Sequence, residues 1–143
     1  MAITSAICTS FKVEILKGVH NFTASTGNTF NLSLYTSSAT LGAGTTAYTT
    51  TEENTGTGYT AKGNALTRVT PVADGTTAVC DFADTSFTSA TFTANGCLIF
   101  NDSATGDPAV CAVAFGGDKT VSSGTFTIQF PTAAATTAIV RIA

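Results

Sequence analysis

Charge is what this sequence has least of. Only 10% of its 143 residues are Asp, Glu, Lys or Arg, against about 25% in an average soluble domain. The six basic residues, Lys12, Lys17, Lys62, Arg68, Lys119 and Arg141, are scattered, and the net charge is −3. Phosphate binding needs clustered cations, so this pattern argues against nucleic acid as a partner. There is one histidine, His20. A Ser-His-Asp arrangement would have to use it, and no G-x-S-x-G elbow is present. No two of the four cysteines, Cys8, Cys80, Cys97 and Cys111, have C-x-x-C spacing, which argues against a zinc or thioredoxin-type site. The first residues carry no basic region and no long apolar run, and no segment reaches the length of a membrane span. The expectation is a protein with no membrane partner that is made, and folds, in a reducing cytoplasm, with its thiols free and buried.

What replaces charge is threonine, roughly a fifth of the chain, which is β-branched and polar and so suits the outer face of a strand better than a helix. Hydrophobic residues make up 43%, enough for a core. With mean hydropathy +0.28 and so little surface charge, a free monomer would be prone to associate. The composition therefore predicts a subunit that buries part of its outside in an assembly, as a homo-oligomer (dimer or trimer) or against another protein.

Residues 10–18 are the best helix candidate. Ser10 is a possible cap, Phe11, Ile15 and Leu16 share a face, and Gly18 is a natural stop. The period then changes to two. Phe30, Leu32 and Leu34 alternate with Asn31 and Ser33, the pattern of a half-buried strand. Residues 36–64 are rich in Gly, Ser and Thr and read as a long loop with at most one short strand near Tyr48. A loop of that length in a compact domain is usually functional. A hairpin follows, turning at Asp74-Gly75, with Ala78, Cys80 and Phe82 sharing a face of its return strand. A second hairpin is expected to turn at Asn95-Gly96 by the same logic. A strand over 109–115 is expected to break at Gly116-Gly117-Asp118-Lys119. Gly124 to Phe130 alternates again, with Phe126, Ile128 and Phe130 inward, and Pro131 ends it. About eight short strands with turn signals between them predict an all-β antiparallel sandwich or jelly roll. It would form a single domain over 1–143, with an N-terminal arm and short helix (1–22).

Sites for chemistry are scarce. His20 follows the helix, where it would meet the last carbonyls. Gly116 to Thr120 lacks the order of a phosphate loop and reads as a turn. Asp102 to Asp107 offers oxygen ligands that could hold calcium, against the simpler reading of a polar turn before Pro108. Asp81 and Asp84 form a possible carboxylate pair for a small glycan hydrolase. Glu52-Glu53 reads as a solvated patch. The sequons at Asn21, Asn31 and Asn101 are expected by chance in so Thr- and Ser-rich a chain. No motif calls for a cofactor or a metal, and the expectation is a protein that is not an enzyme.

Several stretches taken together resemble small structural proteins of tailed bacteriophages. They are Phe30 to Ala39, Gly56 to Ala61, Cys80 to Asp84, Phe115 to Lys119 and Phe126 to Pro131, and the resemblance spans nearly the whole chain. Within that group it is closest to the head-decoration, or capsid cement, type. The resemblance implies a sandwich or jelly-roll subunit that forms small oligomers over joints between major capsid protein subunits. It would then lie on the capsid surface of the virion. It supplies no catalytic residues. Contact segments in such a protein are expected in its first ten residues and its long loop, since both can order on docking. That expectation singles out Met1, Ile3, Ile7, Leu41, Tyr48 and Tyr59, although Tyr48 and Tyr59 would serve equally to anchor the loop to its own domain. The alternative is a tail or receptor-binding module, in which Tyr35, Tyr48 and Tyr59 would stack on cell-surface sugar.

Overall fold

Strand-forming residues dominate after one short helix, and the computed structural model, which describes all 143 residues, is an antiparallel β-sandwich. In chain order its elements are β1 (Ala6–Ile7), α1 (Thr9–Leu16), β2 (Phe30–Tyr35), β3 (Asn64–Ala65), β4 (Arg68–Asp74), β5 (Thr77–Phe82), β6 (Thr85–Asn101), β7 (Ala109–Ile128) and β8 (Val140–Ile142). Five strands form one sheet in the order β1-β7-β6-β2-β3, and three form the other in the order β4-β5-β8. One cluster of 25 buried residues draws on α1 and on both sheets. The sheets meet through aromatic rings. Phe30 of β2 lies 6.0 Å from Phe82 of β5, and Phe22 stacks on Phe30 at 4.2 Å.

The helix begins at Thr9, so Ser10 sits inside it and is not the cap; Cys8 takes the N-cap position without a side-chain bond. Phe11 is buried as expected, but Leu16 points to solvent. Gly18 has φ +73° and stops the helix where expected.

β2 is buried at every position, not on alternate ones. It lies between β6 and β3, and the long connection over residues 36–63 covers the face that carries Asn31, Ser33 and Tyr35. No strand forms near Tyr48; Ala47 makes only an isolated bridge with Pro108. The first hairpin turns at Asp74-Gly75 as expected, where Gly75 takes φ +62°. On β5 Phe82 is buried in the core and Cys80 packs against it, on the face the pattern predicts, while Ala78 is exposed and Val79 is buried on the opposite face. The β4–β5 pairing carries a register shift between Val69 and Val72.

The second expected hairpin does not exist. β6 runs straight through Asn95-Gly96 as one strand. Gly96 serves a close approach here, not a turn, because a Cβ on it would lie 2.6 Å from the Val113 carbonyl oxygen and 2.8 Å from Ile3. β7 likewise passes through Gly116-Gly117 without ending. Ala94 pairs with Lys119 and Gly96 with Ala114, so residues 115–118 bulge out opposite Asn95 alone. Asn95 Nδ2 donates to Asp118 Oδ1 at 2.9 Å and ties the excursion down. Beyond it Phe126, Ile128 and Phe130 alternate with exposed Thr125, Thr127 and Gln129, as the sequence pattern predicts.

Candidate interaction surface

The long loop is held by one carboxylate. Glu53 is buried, not part of a solvated patch, and accepts hydrogen bonds from the Tyr48 hydroxyl, the Tyr59 hydroxyl and the Lys62 amide. Three donors satisfy an ion that burial would otherwise penalise. Burial and the adjacent carboxylate push both tyrosine hydroxyls well above their ordinary range. Tyr48 also stacks on Phe100 at 4.7 Å, and Tyr59 packs 5.5 Å from Phe87.

Beside this network Lys62 Nζ lies 2.7 Å from Asp102 and 2.8 Å from Asp107. An ammonium therefore stands where the calcium alternative would have put a metal ion, and the two hydrogen bonds raise the lysine's own pKa. No three His, Cys, Asp or Glu side chains gather in one place. Asp81 Oδ1 accepts from the Phe82 amide and Asp84 Oδ1 from the Phe130 amide, so each of that pair caps backbone. His20 does not meet the helix carbonyls. The Asn101 amide nitrogen faces its Nδ1 at 3.2 Å and can only donate, which leaves the proton on Nε2, 2.7 Å from Glu14 Oε2. All four cysteines are free. Burial pushes Cys8 and Cys80 up to about 11 and Cys97 to about 12, and it holds Cys111 well above its ordinary value. Thiols held neutral in this way are structural and inert.

The six contact candidates fall in different places. Ile3 and Leu41 are buried and bridge each other, fastening the N-terminal arm to the loop. Tyr48 and Tyr59 are the loop anchors just described. Met1 is 88% exposed and, with Leu41, lines a shallow threonine-rich depression of about 720 Å³. Ile7 is half-buried and lines an apolar groove of about 340 Å³ between α1 and β8.

That groove is the surface the sequence reading missed. Phe11 and Val140 form its buried parts, while Ile15, Leu16 and Ile142 complete it, with Lys12 and Arg141 at its margins. Leu16 is 89% exposed and Ile142 55%. Val13, on the same helix, is also exposed. Helical spacing put Leu16 on the inner face with Phe11 and Ile15, and only the position of β8 shows that it stands outside. No protein-family model, curated protein or solved structure matches the chain.

Proposed function

We propose that this chain is a non-enzymatic structural subunit of a tailed-phage particle that decorates and stabilises the head by binding across major capsid protein subunits. The observation that carries the reading is the apolar α1–β8 groove, left open on a surface that has little charge to keep neighbours apart. Large side chains such as Leu16 and Ile142 are costly to leave in water and supply area for a partner. A subunit that binds only the assembled shell stabilises it by mass action. The reading includes self-association into a dimer or trimer and a place on the capsid surface after synthesis in the host cytoplasm.

The tail or receptor-binding alternative drew on Tyr35, Tyr48 and Tyr59. Tyr35 is buried, and the half-buried Tyr48 and Tyr59 pack their rings on Phe100 and Phe87, which leaves less ring area for a sugar and weakens the support for that alternative. The test is to add purified protein to heads that lack it. Rebinding in hundreds of copies, with higher heat resistance of the heads, is the expected result. Cryo-electron microscopy of the virion that places no copies on the head would sink the idea.

A further inference from the structure

A second cleft shares no lining residue with the α1–β8 groove and lies on the main sheet, along the far end of β7 and the chain that follows it. Beneath it lie the buried Leu32, Cys97 and Ile99, on one face of β2 and β6. Phe115, Phe126 and Phe130 wall it. The volume is about 320 Å³, in the range of clefts that take small ligands. Among its lining residues the only charged one is Lys119, which is exposed and makes no ion pair. Apolar walls with a single unpaired cation complement one kind of molecule, an apolar tail with an anionic head. A methylene is close to a water molecule in size, so the space holds a chain of roughly ten such groups.

We infer that this cleft binds the anion of a straight-chain fatty acid of medium length, its tail against the half-buried Val113, Phe115 and Phe126 and its carboxylate at Lys119. Occupancy of the cleft is independent of capsid binding. Each methylene that enters should tighten binding roughly fourfold.

The test is calorimetric titration of the whole chain with hexanoate, octanoate and decanoate, each below its micelle threshold, and with decanol as the uncharged control. Expected are one molecule bound per chain, affinity rising about fifteenfold for each pair of added methylenes, and decanol weaker than decanoate. Lys119→Gln should weaken decanoate about tenfold and leave decanol unchanged. Val113→Phe should fill the cleft and abolish binding, with Ile139→Phe as the second filling variant should the first unfold. The inference is overturned by no saturable binding, by affinity that ignores chain length, by decanol binding as tightly as decanoate, or by full affinity in a folded filling variant.

Discussion

Tyr59 joins two layers of the molecule through one oxygen: its hydroxyl accepts from the Leu34 amide at 3.0 Å and donates to Glu53 at 2.7 Å. The first bond fixes the loop to β2, and the second fixes it to the carboxylate that also holds Tyr48. Tyr59→Phe keeps the ring but leaves the Leu34 amide without its partner and the buried Glu53 carboxylate with two donors in place of three. The expected loss is about 1–3 kcal/mol in urea denaturation. Glu53→Ala should cost more, because it frees three donors at once. Equal stability of Tyr59→Phe and the parent would show that water replaces the hydroxyl at no cost.

Gly96 and Gly75 occur in similar Asn-Gly and Asp-Gly contexts and do opposite things. Ala at 75 must adopt φ +62° with open space around it, at a cost of about 1–2 kcal/mol. Ala at 96 meets no dihedral penalty but pushes a methyl into the Val113 carbonyl and Ile3. Gly96→Ala should reach or exceed the top of the roughly 1–3 kcal/mol range for overpacking. Denaturation midpoints that rank the two variants the other way would contradict the close approach described for β6.

Stability should fall in mild alkali. Thiols of the unfolded chain ionise near 9.0, whereas the folded chain holds Cys8 and Cys80 protonated to about 11 and Cys97 to about 12. Below pH 9 both states keep these protons and the contribution is fully present. From about pH 9 to 12 the unfolded state alone releases them at first, so unfolding is favoured as pH rises. Tyr35, raised to about 12, acts in the same direction above pH 10. Urea midpoints at pH 7, 9 and 10.5 should be level and then drop, and alkylation of the native protein at pH 8 should be slow. A level profile to pH 10.5 would count against the burial of these groups.

Leu16 and Ile142 separate folding from docking. Both are largely in water, so the double variant Leu16→Gln, Ile142→Gln should shift stability by no more than about 0.5 kcal/mol per site. The same change should abolish rebinding to depleted heads. Undiminished rebinding would move the contact surface elsewhere on the molecule, with Met1 the next place to look.

Much of the architecture is readable from local pattern. Period two over 124–130, the turn at Asp74-Gly75 and the stop at Gly18 are each set by neighbours in sequence, and each appears as expected. The two long strands are not readable in this way. Asn95-Gly96 and Gly116-Gly117 have the composition of turns, but one serves a close approach and the other a bulge, and both needs arise from strands that pair across the sheet. Glu53 is hidden for a related reason. A carboxylate is buried only where donors converge, and Tyr48, Tyr59 and the Lys62 amide converge only once the loop is folded. The groove joins Ile7 and Leu16 to Ile142, residues from opposite ends of the sequence that no local window contains.

The excursion at Phe115 to Asp118 also uncouples the two halves of the β6–β7 hairpin. Thr85 opposite Ile128 and Phe100 opposite Ala109 set the register of each half from its own end, and the surplus residues collect between them. Gly116 and Gly117 are exposed there and bear on neither half. The hairpin thus has slack at its midpoint, where residues can be inserted or removed without sliding either half past β6. A peptide spliced between the two glycines would be displayed on the outside of the domain, and on the outside of any particle that carries it there.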